Sequence, residues 1–180
     1  MTPFITFYTP TYRRPRGLAA CLESVRTQTA VDAIEQIVIP DHIGIGIAGM
    51  YRSIPDYADC VHGDYVHVLA DDDVLASPTV VEQVRDFARK HDHPALILVA
   101  VRKNGSVILP SWPPALGAID LGNMIVRGDV WEAHAGAYGS RYEGDYDFAA
   151  ALHASHVQAA RMDLLFLSGA VMGGQAEVAA

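Results

Sequence analysis

The chain has 180 residues, 51% hydrophobic and 19% charged, with a net charge of −8 and a pI of about 5.3. Such a composition excludes a disordered chain and matches a single domain long enough to bury a core. The acidic excess disfavours nucleic acid and other polyanions as partners. Phe4-Ile5-Thr6-Phe7-Tyr8 is rich in β-formers and predicts a strand that stops at Pro10. Leu18, Leu22 and Val25 then recur at helical spacing and predict a helix between Pro15 and Thr29. Ile34 to Ile39 reads as a second strand closed by Pro40-Asp41. Ile43 to Ala48 reads as a Gly-interleaved loop, and a short helix fits Ala48 to Ala58. The alternating segment Tyr65 to Leu69 predicts a third strand, running into Asp71-Asp72-Asp73. Ser77-Pro78 reads as an N-cap followed by Pro at the first helical position, with Val81, Val84 and Ala88 as the buried stripe of a helix over Thr79 to Lys90. Ala95 to Val101 predicts a further strand, Lys103-Asn104-Gly105-Ser106 a hairpin turn returning through Val107 to Leu109, and Asp145 to Ala154 a last helix.

Strands alternating with helices predict an α/β domain with a mostly parallel central sheet and helices on both faces. Ligands in such sheets bind beyond the carboxyl ends of the strands, where Tyr8-Thr9-Pro10, Pro40-Asp41 and the acidic triplet all fall. Three adjacent carboxylates repel one another unless a cation sits among them, and hard oxygen ligands suit Mg2+ or Mn2+ better than zinc. A divalent ion there would naturally hold a phosphate; the alternative is a solvated acidic turn ahead of the next helix. Met1-Thr2-Pro3-Phe4 lacks a basic leader and no apolar run approaches the roughly 18 residues of a membrane span, so the expected location is the cytoplasm. Cys21 and Cys60 lack metal-ligand spacing and are expected to be buried free thiols.

Phe7-Tyr8-Thr9-Pro10-Thr11-Tyr12-Arg13-Arg14, Ile37-Val38-Ile39-Pro40-Asp41, and Gly63-Asp64-Tyr65 leading into Leu69-Ala70-Asp71-Asp72-Asp73 resemble, in order and spacing, the N-terminal half of family 2 glycosyltransferases. Leu121-Gly122-Asn123-Met124-Ile125-Val126-Arg127 and Tyr142-Glu143-Gly144-Asp145-Tyr146-Asp147-Phe148 resemble the acceptor half. The resemblance covers Phe4 to Leu152. It implies one Rossmann-like glycosyltransferase A domain over residues 1–180, with a donor half of about 1–92 and an acceptor half of about 93–180. It further implies a metal-dependent, inverting transfer of a sugar from a nucleoside diphosphate donor, UDP favoured, to a hydroxyl of a small molecule or glycan. Carried over by position, Thr9, Tyr12 and Asp41 would hold the nucleoside, Asp71 would lie near the ribose, and Asp73 with Asp72 would bind Mn2+ or Mg2+. Asp145 matches the general base, with Glu143 or Asp147 as alternatives because the family's acidic pair reads Gly144-Asp145 here. An ordinary helix cap is the other role open to Asp145. Arg52 would reach a phosphate. The late metal-binding His of many relatives has no counterpart in Val171-Met172-Gly173-Gly174-Gln175.

Other residues carry two readings. Arg13 and Arg14 either meet phosphate or are solvated. Trp112-Pro113-Pro114 forms either an acceptor wall or a rigid loop, and Asn123 either faces a substrate or makes a turn. His153 and His156, at i and i+3, would share a helix face, and His91-Asp92-His93 sits at a helix end. The rival functions are a nucleotide-sugar binding module without turnover, a glycosyltransferase acting on DNA or protein, and a sugar-phosphate nucleotidyltransferase. The last normally carries a Gly-rich phosphate loop, which Thr9-Pro10-Thr11-Tyr12 is not. The transferred sugar and the oligomeric state are left open.

Overall fold

The computed structural model describes Thr2–Gly169. In chain order the elements are β1 (Ile5–Thr11), α1 (Pro15–Arg26), β2 (Ile34–Pro40), α2 (Gly46–Ser53), β3 (Tyr65–Val68), β4 (Asp73–Leu75), α3 (Val80–Lys90), β5 (Leu96–Lys103), β6 (Ser106–Ile108), β7 (Met124–Arg127), α4 (Gly128–His134), α5 (Gly144–Ala154) and β8 (Ala159–Gly169). One sheet carries them in the order β2-β1-β3-β7-β5-β8-β4, with β6 paired to β5. β1 pairs parallel with β2 and β3, and β5 pairs parallel with β8. β7 is antiparallel to both β3 and β5, β4 to β8, and β6 to β5. The sheet is therefore mixed, which corrects the expectation of a mostly parallel one. Five strands share a direction, while β4, β6 and β7 oppose it.

The two-residue period of each strand divides the apolar residues between two cores. Ile5 and Phe7 of β1, Ile97, Val99 and Val101 of β5, and Ile125 of β7 face α1 and α3. Tyr8, Leu96, Leu98, Met124 and Val126 face the other way, against α2, α4 and α5. The second core is aromatic: Tyr138 stacks on Phe148 at 4.1 Å and on Tyr51 at 5.6 Å, with Trp131 alongside. Helices on both faces agree with expectation, whereas β1 runs on past Pro10 to Thr11 and β4, β7 and β8 match no predicted strand. No helix among the described residues is long and apolar enough to cross a membrane.

Three details depart from the sequence reading. α1 buries Gly17, Cys21 and Val25 rather than the Leu18–Leu22 face, and Leu22 is exposed. The rotation follows from contact with the acidic loop: a Cβ on Gly17 would lie 2.8 Å from the Asp71 carbonyl oxygen, so only glycine permits the approach. α3 begins after Thr79, not after Ser77. The Ser77 and Pro78 carbonyls instead accept from Gln28 Nε2 (2.9 Å) and the Thr29 N–H (2.8 Å), which ties that segment to the end of α1 before the helix can start. Asp73 opens the short strand β4 instead of leading directly into a helix. The hairpin after Lys103 forms as expected, with Asn104 and Gly105 both at positive φ, as a two-residue mirror-type turn requires.

Candidate active site

Five functional segments converge on the carboxyl edge of the co-directed strands. β1 delivers Tyr12 to Arg14, β2 delivers Asp41, β3 leads into Asp71–Asp73, and β5 ends at Lys103. β7 runs backwards, so the residues before it reach this edge, and Asp120 lies just ahead in the turn Leu121–Asn123.

The acidic loop carries its own cations. Arg14 Nη1 lies 2.7 Å from Asp71 Oδ1 and 3.2 Å from Asp72 Oδ2, and the Tyr12 N–H donates to Asp71 Oδ2 at 3.3 Å. Arg14 is thus an ion-pair partner of the triplet. Asp73 is 4% exposed, and burial, reinforced by Asp72, Asp120 and Asp71 against the opposing pull of Lys103, pushes its carboxyl up to about 6. Lys103 Nζ stands 3.8 Å from Asp73 Oδ2, donates to Asp120 Oδ2 at 2.9 Å and lies 2.8 Å from Asp120 Oδ1. Burial alone would pull the ammonium down, but Asp73 and Asp120 outweigh it and hold Lys103 above the usual lysine range.

Asp145 lies in the first turn of α5, and Glu143 occupies the N-cap position without a side-chain cap bond, so Asp145 is not the N-cap residue. Its Oδ1 accepts from the Tyr146 N–H at 2.7 Å. Burial raises the Asp145 pKa, and the nearby Asp120 charge adds to the rise, while the Tyr146 bond and Lys103 oppose it. Tyr142 is 70% exposed, while the buried Tyr51 of the aromatic core lies against Asp145. Gly144 lets the helix start against that core, since a Cβ there would lie 2.5 Å from both the Tyr138 carbonyl oxygen and the Tyr51 ring. Asp147 is engaged by both ends of the Arg141 guanidinium, which holds its carboxyl below the usual range. That ion pair separates it from Asp145 as a base.

At the carboxyl ends of β1 and β2 a cavity of about 310 Å³ opens toward α2, lined by Tyr8, Pro10, Ile39, Asp41, Ile43 and Met50 among others. Its apolar walls and size suit a nucleoside. Asp41 lines it, but its carboxylate accepts from the N–H groups of Ile43, Gly44 and Ile45 at 2.7–2.9 Å. Burial, the largest single effect, raises its pKa, but the three bonds together outweigh it and hold the pKa down, and they make Asp41 the organiser of this wall. The Tyr12 ring covers Gly44, with the Arg13 guanidinium 5.1 Å from the ring centroid. Arg52 is exposed in the last turn of α2. Thr9 is the clearest departure on the donor side: its side chain is fully buried and its Oγ1 accepts from Gln36 at 3.0 Å, so it points beneath the sheet edge. A larger concavity of about 750 Å³, lined by His62, Gly63, Arg127 and Glu132 among others, lies at the opposite edge, away from these carboxylates.

The acceptor-side expectations change as well. Asn123 is fully buried; its Oδ1 accepts from the Asp120 N–H at 2.8 Å and its Nδ2 donates to the Val99 carbonyl at 2.8 Å, which makes it a turn residue. Trp112 is half-buried, with its ring 5.5 Å from that of His153. His156 falls beyond the end of α5 with φ +58°, so it does not share a helix face with His153. Val171 to Gln175 lie outside the described residues.

No family model matches the chain, and no curated protein matches it in sequence. Solved structures do. S. aureus TarS 1–349 in complex with UDP superposes with a TM-score of 0.67 at 13% identity, over 93% of this chain and 60% of that one. The same fragment in complex with UDP-GlcNAc gives 0.66 at 14% identity, over 95% and 59%. A197 from STIV gives 0.56 at 12%, over 88% and 81%. The fold is glycosyltransferase-like. At these identities the likeness extends to architecture and not to membership of a particular family, and the chain spans about 60% of the TarS fragment.

On this glycosyltransferase-like fold the implied Mg2+ or Mn2+ can be tested against the residues present. The edge gathers five carboxylates (Asp71, Asp72, Asp73, Asp120 and Asp145) around Arg14 and Lys103, an all-oxygen donor set short of positive charge, which fits a hard divalent ion. Among the described residues no three such ligands converge on one point. Lys103 spans the gap between Asp73 and Asp120. Sequence reasoning passed over both Lys103 and Asp120. Lys103 reads as a turn residue of the hairpin, and the signal for Asp120 was the spacing Asp120-Leu121-Gly122-Asn123, a reciprocal cap in which each end bonds the other's backbone.

Proposed function

We propose that the chain transfers a sugar from a nucleoside diphosphate sugar, a UDP-sugar by preference, to a hydroxyl of a small molecule or glycan. The observation that carries this reading is the juxtaposition, on one sheet edge, of a nucleoside-sized apolar cavity, a carboxylate-rich loop and a half-buried carboxylate at the start of a helix. The UDP and UDP-GlcNAc complexes of structurally similar TarS support a uridine donor. The base lies against Tyr8, Ile39 and Met50, with the wall held by Asp41 and covered by Tyr12.

Asp145 takes the proton from the acceptor hydroxyl. The freed oxygen forms its bond to the anomeric carbon as the bond from that carbon to the diphosphate oxygen breaks, and the electron pair leaves with UDP. A single displacement of this kind inverts the sugar carbon. The raised pKa of Asp145 suits the task, because a carboxylate closer to the working pH is the stronger base. Asp72 and Asp73 would hold Mn2+ or Mg2+, which would supply positive charge to the departing diphosphate.

The test is UDP release and product formation with a panel of UDP-sugars and hydroxyl acceptors. Asp145→Asn is expected to lower transfer by roughly 10²-fold or more while UDP affinity stays at the parental level. UDP-sugar binding without product from any acceptor would make the chain a nucleotide-sugar binding module, and parental transfer by the Asn variant would remove Asp145 as base.

A further inference from the structure

The chain has two lysines, Lys90 and Lys103, and one of them sits inside its most acidic site. Lys103 is the last residue of β5 and pairs with Ser106 across the hairpin, so its backbone is fixed by the sheet. Its side chain is not: one third of it is exposed, against 6% for Asp73 and 21% for Asp120. Arg14 pairs with Asp71 and Asp72, and the Lys103 ammonium faces Asp73 and Asp120. A divalent ion carried by Asp73 would lie within a few ångströms of that ammonium, and at such a separation in a half-buried site the repulsion of the two cations is large. A lysine has a flexible four-carbon stem and can turn outward, where a backbone-fixed charge could not.

We propose that Lys103 is the built-in counterion of this site, and that its ammonium and a divalent cation compete for Asp73 and Asp120. The lysine holds the carboxylates together while the donor is absent. It swings toward solvent when the metal arrives, so the free ion alone is a poor ligand. The role of the ion rests on the nucleotide-sugar reading; the competition itself is a property of these side chains.

Mn2+ titration of the full chain without nucleotide tests the competition directly. Lys103→Met is expected to bind Mn2+ at least about tenfold tighter than the parent, and Lys103→Arg, which keeps the charge, within about threefold of it. In chelator the Met variant is expected to melt below the parent, and Mn2+ to restore it by more degrees than it raises the parent. Side-chain NMR of the unaltered protein gives a second measurement that needs no variant: Mg2+ should shift the Lys103 resonance and leave Lys90 in place. Unchanged or weaker Mn2+ binding by the Met variant overturns the proposal, as does an unmoved Lys103 resonance under Mg2+, or no divalent binding by either protein. If the Met variant fails to fold with or without Mn2+, the NMR result decides. UDP added to the same samples separates the two readings. UDP binding that ignores metal leaves the nucleotide-sugar reading standing without the competition, whereas metal competition without UDP binding does the reverse.

Discussion

Asp145 and Asp147 stand two residues apart on α5 and are held in opposite electrostatic states: burial lifts the first, and Arg141 lowers the second. Asp147→Asn is therefore expected to leave transfer within a few-fold of the parent, against the roughly 10²-fold loss for Asp145→Asn, in the same UDP-release assay. His67 illustrates a different use of burial. It is fully buried on β3, 5.0 Å from the Phe166 ring, and its Nδ1 bonds the Met124 carbonyl at 2.9 Å. Burial lowers its pKa from 6.5 to about 4, with the Met124 bond opposing. Its folded pKa is the depressed one, so its contribution is fully present above pH 6.5 and is lost as pH falls toward 4, where it amounts to about 3 kcal/mol. Asp73, with its raised pKa, slopes the other way over part of that window. The measurement is therefore a comparison: chemical denaturation from pH 7 to 4 should show a shallower loss for His67→Leu than for the parent, and parallel curves would contradict the buried-neutral state.

At the scale of elements, α1 meets the acidic loop in a close contact at Gly17. Gly17→Ala places a methyl 2.8 Å from the Asp71 carbonyl oxygen, where the backbone must yield. Alanine's better helix propensity, worth up to about 1 kcal/mol, offsets part of an overpacking cost of about 1–3 kcal/mol. The expected outcome is a lower melting temperature together with weaker UDP binding in calorimetry, since Asp71 moves with the loop; unchanged stability and affinity would show that the contact is slack. The contact also marks the limit of sequence reading. Periodicity located α1, but it ranked Leu18 and Leu22 above Gly17 because glycine carries no hydrophobic signal, and what rotates the helix is a loop more than fifty residues away. The boundaries of β2, β3 and α5 were legible because their patterning is local. The start of α3 fell within one residue of expectation, but its cap did not: Thr79 takes the place expected of Ser77, the carbonyls of Ser77 and Pro78 being claimed by Gln28 and Thr29. In the candidate site the carboxylates were visible as a run, whereas Lys103 and Asp120 become neighbours only through the hairpin and the reversed strand β7.

For the whole molecule, the sheet acts as a partition. Ile97 and Leu152 are both fully buried but lie in different cores, one facing α1 and α3 and the other on α5. Ile97→Val is expected to cost about 1 kcal/mol and Leu152→Ala about 2–5 kcal/mol. Their effects should add to within about 0.5 kcal/mol in urea unfolding, because the backbone layer between them limits shared repacking. A larger coupling energy would mean that the layer transmits strain.

The partition also separates the two thiols. Cys21 is enclosed beneath α1, where burial pushes its pKa up to about 12, while Cys60 is exposed just before the loop that enters the amino end of β3. At neutral pH a maleimide dye should therefore attach to the natural chain at one position, toward the sheet edge opposite the carboxylates. The protein thus carries a ready anchoring point for single-molecule or surface-immobilised measurements, with its reactive edge left facing solution.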